Sequence, residues 1–164
     1  MSLLLSGAKS ITFAGTEMQC LEIYTGEAYT IGVNFTDSAS VPIDISTWTL
    51  TTTCKYYSVD TVTYVEALGE INLGNITLDA PQGQKPADLD ISVVSAVGGT
   101  AALFIPSNLT GDGLLDRPTV ELVSGNAVPT VLVIVSIDVS RPDSIVPANT
   151  NFSREPLGFI VRYQ

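Results

Sequence analysis

The chain of 164 residues contains no histidine, only two cysteines and one tryptophan, and seven Lys/Arg against 17 Asp/Glu. Without histidine, the Ser-His-Asp and Cys-His pairings of nucleophilic hydrolases cannot be built. The three lysines that could replace it as a base, Lys9, Lys55 and Lys85, stand in no nucleophile motif. The same lack leaves no zinc site, which needs four ligands at short spacing. A formal charge of −10 argues against nucleic-acid binding, which requires a clustered cationic surface. Two cysteines are too few for a crosslinked small scaffold. Cys20 and Cys54 are expected as reduced, partly buried thiols, with a single Cys20–Cys54 bridge as the alternative. No apolar run approaches the roughly 20 residues of a membrane helix, and the longest, Val131 to Val135, is broken by Ser136 and Asp138. The leucines at 3–5 follow no basic segment, so a secretory signal is not expected. Synthesis in a cytoplasm is the expectation, with neither membrane nor nucleic acid as partner. The four Asn-x-Ser/Thr triplets at Asn34, Asn75, Asn108 and Asn151 then read as strand and turn chemistry.

With 45% hydrophobic and 15% charged residues, against a usual ~25% charged, the chain has the material for one substantial core. The length suits a single domain over 1–164, with a short N-terminal arm at 1–9. Period-two alternation dominates. Tyr29, Ile31, Val33 and Phe35 share one face of an expected strand, and Trp48, Leu50, Thr52, Cys54 and Tyr56 share one face of another. Three successive threonines at 51–53 favour strand over helix. Further strands are expected at Ser10–Phe13, Met18–Tyr24, Thr61–Glu66, Ile71–Leu78, Leu89–Val97, Thr100–Ile105, Val120–Val123, Val131–Val139 and Leu157–Tyr163. Gly, Pro, Asn, Asp and Ser separate most of them. Short strands so punctuated predict an all-β fold, a β-sandwich or a barrel, and the expectation adopted is an antiparallel β-sandwich with long loops. The loops are 79–88, rich in proline and glycine, and 141–154, a long link between two apolar strands. Ser107–Leu115 has room for one helical turn.

Few residues offer chemistry. The carboxylate pairs Asp88/Asp90 and Asp112/Asp116 lie in or beside polar turns, where solvated acids are the ordinary outcome, so no catalytic residue is assigned. Asn108, Asp112 and Asp116 around Gly111 and Gly113 lack the order of an EF-hand, and no metal or cofactor is expected. Trp48 begins a strand of apolar same-face neighbours, which points to the core. Tyr56, Tyr57 and Tyr64 are the aromatics a sugar-binding surface would use, although aromatics in adjacent strands mostly pack across the sheet.

The run from Tyr24 through Gly26, Glu27, Tyr29 and Asp37, followed by Pro42-Ile43-Asp44-Ile45 and Trp48, resembles the immunoglobulin-like module of tailed-phage baseplate and tail-fibre proteins. Ile45, Ser46 and Thr47 replace Leu, Thr and Gly of that pattern, and the match covers Tyr24–Leu50. The resemblance implies an immunoglobulin-like sandwich whose core motif is Tyr29, Phe35, Ile43, Ile45 and Trp48. It also implies a non-enzymatic virion protein joining a fibre or baseplate to its neighbours, present in several copies per particle. Partner docking is expected through Ile145, Val146, Phe152, Phe159 and Tyr163. The alternatives are a module binding host surface glycans and a head decoration protein.

Overall fold

The computed structural model describes residues 2–5, 7–24, 26–59, 61–78, 88–107, 120–123, 126–142, 145–146 and 150–162. The fold is all-β, two sheets packed as a sandwich, and a single 3-10 turn at Glu66–Leu68 is the helical element among the described residues. The strands are β1 (Ser2–Leu4), β2 (Lys9–Phe13), β3 (Thr16–Tyr24), β4 (Tyr29–Thr36), β5 (Thr49–Val59), β6 (Val62–Val65), β7 (Glu70–Leu73), β8 (Ile76–Leu78), β9 (Ile91–Ser95), β10 (Thr100–Ile105), β11 (Val120–Val123), β12 (Asn126–Pro142) and β13 (Thr150–Arg162). A front sheet of four strands runs β1-β4-β10-β9. The nine-stranded rear sheet runs β6-β7-β2-β3-β13-β12-β5-β8, with β11 added on β12.

The rear sheet is centred on β12 and β13, which pair from Thr130↔Arg162 to Pro142↔Thr150. Val131 to Val135 are buried without a break, because a strand covered on both faces loses its polar alternation. Val131, Val133, Val135, Ile137 and Val139 turn towards the front sheet, where they meet Val33, Phe35, Leu103 and Ile105. Leu132 and Ile134 turn the other way, into a second core with Ile11, Met18, Cys20, Val62, Ile71 and Ile160. That second core is closed by β2, β6 and β7 of the same sheet, so the rear sheet covers its own back.

The expected alternations hold. Thr52, Cys54 and Tyr56 are buried on β5 while Thr51, Thr53 and Lys55 are exposed. Val33 and Phe35 are fully buried on β4. Thr52 is one of the few buried polar side chains, and its hydroxyl acts as a strand partner in miniature. It donates to the Leu89 carbonyl and accepts from the Leu89 N–H, each at 2.6 Å. Beside it, residues 41–48 cross the end of the sandwich with little strand character. Only an isolated bridge joins Pro42 to Thr36, and the segment is held by Ile43 N–H to Phe35 C=O at 3.1 Å and Ile45 N–H to Ala96 C=O at 2.8 Å. Gly99 completes this knot: its φ is +67°, and a Cβ there would lie 2.5 Å from the Ile43 carbonyl oxygen.

Several expectations are corrected. The stretch 141–154 is not a long loop: β12 continues through Pro142, β13 resumes at Thr150, and only residues 143–149 link them. Arg141 and Ser153, which are partly covered there, are polar, so no apolar alternation marks these strand ends. Within the expected N-terminal arm, Ser2–Leu4 pair with β4 and β2 starts at Lys9. Ile71–Leu78 is two strands, broken where the Gly74 N–H turns to the Thr61 carbonyl at 2.8 Å. Two pairings in the rear sheet, β3 with β13 and β2 with β7, are parallel. The proposed turn at Ser107–Leu115 falls largely outside the described residues.

Gly99→Ala is expected to cost about 3 kcal/mol, because that φ strains an L residue and the added Cβ would strike the Ile43 and Phe35 carbonyls. Thr52→Val, nearly the same shape, should cost about 2 kcal/mol by leaving two buried backbone groups of Leu89 unpaired. Urea unfolding at neutral pH measures both, and a loss below a quarter of these values would refute the respective contact.

Candidate docking surface

The residues singled out from the sequence fall into three classes. Phe35 and Ile45 are fully buried, and Tyr29, Ile43 and Trp48 are half-buried against the same core. Trp48 packs edge-on to Phe35 with ring centroids 5.5 Å apart. The Arg141 guanidinium lies 5.2 Å from the indole centroid. The indole is thus the plug at one end of the sandwich, and Arg141, near the end of β12, stacks over it. Tyr29 fixes the entry to β4, its hydroxyl donating to Glu27 Oε2 at 2.8 Å and accepting from the Tyr24 N–H at 2.9 Å. The exposed Asp44 accepts from both the N–H and the hydroxyl of Ser46, which holds its carboxyl below the ordinary value. These residues shape the scaffold.

The second class is at the far end of the β12–β13 hairpin. Beyond Thr49, the last β5 partner, the hairpin carries two more pairs, Arg141↔Asn151 and Pro142↔Thr150. Ile145 and Val146, in the link past these pairs, are 87% and 47% exposed, and Phe152, in the last row shared with Thr49, is 79% exposed. Single exposed apolar residues need no explanation, but three at one hairpin end form a patch of the kind that marks contact sites. On its outer side, β13 pairs with β3 only from Leu157 onwards, so β3 does not reach Thr150–Pro156.

The third class is corrected. Phe159 is completely buried; it faces the front sheet from the middle of β13 and cannot meet a partner. Tyr163 lies outside the described residues, as do Asn108, Asp112, Asp116 and residues 79–87 of the proline-rich loop. Tyr56 is buried in the front core, and Tyr57 and Tyr64 pack against the rear core, Tyr57 with Phe13 at 4.8 Å between centroids. The aromatics named for sugar stacking are therefore structural. Asp88 and Asp90 are exposed before β9. Among the described residues no group of three or more His, Cys, Asp or Glu could hold a metal ion, and no helix is long and apolar enough to cross a membrane.

A further set was missed on the sequence. Thr49, Thr51 and Thr53 alternate with the buried face of β5 and turn to the outer face of the rear sheet. Asp138 and Arg154 oppose one another across β12 and β13, with Arg154 Nε 2.7 Å from Asp138 Oδ1. Their signal was present as period-two polar residues, but pairing across strands was needed to bring them together. Comparison with protein-family models and with the curated proteins finds no match for this chain.

Both cysteines are free and buried. Cys54 faces the front core and Cys20 the rear core, on opposite faces of one sheet, which is why they do not bridge. Burial pushes each thiol up to about 12 from an ordinary 9.0. The unfolded chain ionises first, so the contribution of both thiols to stability is intact below pH 9.0 and declines as pH rises towards about 12. Thiol-specific reagents should leave the native protein unmodified and label both cysteines once it is unfolded. Rapid native labelling of either residue would contradict the burial.

Proposed function

We propose that the chain is a non-enzymatic structural protein of a tailed-phage particle, an immunoglobulin-like adaptor at the baseplate or tail fibre that docks neighbouring subunits through the end of its β12–β13 hairpin. The observation that carries the docking role is the exposed group Ile145, Val146 and Phe152, held on a hairpin rooted in a strand pair buried on both faces. A contact end on a rigid root meets its partner without first ordering itself, which reduces the entropic cost of association. The likeness of Tyr24–Leu50 to the phage module supplies the particle, and the net charge of −10 favours a partner surface with basic patches. A head position in the same particle is the nearest variant of this reading.

The double variant Ile145→Asp, Val146→Asp should keep the unfolding midpoint of the parent, because both side chains lie outside the two cores, and should lose incorporation into particles by at least about tenfold, the equivalent of 1.4 kcal/mol. Imaging of purified particles carrying the labelled parent chain places it at tail or head. Absence of the parent from purified particles, or full incorporation of the variant, would overturn the proposal.

A further inference from the structure

The outer face of the rear sheet is covered by β2, β6 and β7 over only part of its length. Towards the hairpin end the second core stops at Ile134, and the rows beyond it carry mainly polar side chains, with Phe152 in the outermost. Cross-strand register places Thr51, Asp138 and Arg154 in one row and Thr49, Ser140 and Phe152 in the next. Residues directly opposite on adjacent strands share a face, so these six side chains line one groove, a cavity of about 650 Å³. That volume is in the usual range for a small-molecule site, roughly 300–1,000 Å³.

The groups in the groove have spare bonding capacity. Asp138 takes Arg154 Nε on Oδ1 and the Thr53 hydroxyl on Oδ2 at 3.2 Å, and each carboxylate oxygen has a second acceptor site. Arg154 is engaged only through Nε, so its two terminal amino groups have no hydrogen bond among the described residues. Phe152 offers an open ring on the same face. An anionic ligand is opposed by Asp138 and by the net charge of −10. A cationic one is opposed by Arg154. A purely apolar one would take the ion pair out of water without replacing its hydrogen bonds. A ligand with neighbouring hydroxyls satisfies both charges together, since one hydroxyl donates to the carboxylate while the next accepts from the guanidinium, and the C–H face of a sugar ring packs on the phenyl.

We infer that this groove is a binding site for a neutral saccharide, with Asp138 and Arg154 recognising a vicinal diol and Phe152 stacking on the ring. The site goes beyond the docking role: it shares Phe152 with the exposed group but makes no use of Ile145 and Val146. Titration of the full chain with neutral oligomers of glucose, galactose and mannose, followed by amide chemical shifts, tests it. For at least one of these sugars, shifts confined to Thr49, Thr51, Asp138, Ser140, Phe152 and Arg154 are expected. Phe152→Ala should weaken binding by about tenfold, and Arg154→Lys should weaken it too by removing the planar fork. The Ile145→Asp, Val146→Asp variant should bind as the parent does, which separates failure of this site from failure of the docking role. Absence of shifts with every neutral oligomer at millimolar concentration would overturn the inference. So would shifts elsewhere, affinity unchanged in both groove variants, or tighter binding of acidic sugars.

Discussion

The structure depends on one strand pair having an apolar layer on each side. β12 and β13 share a long uninterrupted ladder, and their side chains divide strictly by parity, one set facing the front sheet and the other the rear core. Hydrophobic burial is proportional to the area removed from water, and a strand buried on both faces contributes twice the area per residue of an ordinary sandwich strand. Such a strand also creates an obligation, since two exposed apolar faces would associate with other chains. The front sheet meets one face. The rear sheet meets the other by folding β2, β6 and β7 over its own back. Cys20, Met18 and Ile11 belong to that second cover, and Gly158 lies beneath it: an added Cβ there would come within 2.6 Å of Ile11 Cδ1.

The covers end before the strand pair does, and the candidate surfaces arise from that mismatch. Where the front core ends, Trp48 plugs the opening and Arg141 stacks across it. Where the rear core ends, the polar rows of Thr51, Asp138 and Arg154 begin. The hairpin then carries its apolar end into solvent. A contact end, a polar groove and a rigid root thus belong to one pair of strands. An interaction at the hairpin bears directly on the ladder that organises the core, and needs no separate mobile element to support it.

What could be seen in the sequence followed the physics of burial. β4 and β5 were legible because each has one buried and one exposed face, which writes the strand period directly into Tyr29–Phe35 and Trp48–Tyr56. The core of β12 was legible as an apolar run for the opposite reason, both faces being covered. The ends of β12 and β13 were not, because Ser153, whose hydroxyl is buried, is as polar as the exposed Asn151 and Arg154, so burial there writes no hydrophobic alternation. Phe159 and Phe152 illustrate the limit. Both are phenylalanines on the same strand, and their opposite fates are set by parity and by which neighbour ends where. The Thr51–Asp138–Arg154 row was equally hidden, since register between distant strands is not local information. Gly99, in contrast, is a residue whose type follows from the backbone: only glycine tolerates that φ with the Ile43 carbonyl so close.

The parallel alignment of β3 with β13 has a consequence for biosynthesis. β3 is made early, and its partner emerges from the ribosome only after every other described strand. Until then Gln19 to Tyr24 keep one row of amides and carbonyls unpaired, and the apolar flank of β12 has no neighbour on that side. The β3–β13 pairing of a chain of this design therefore waits until β13 is made, and its contacts are very non-local, the kind that form slowly.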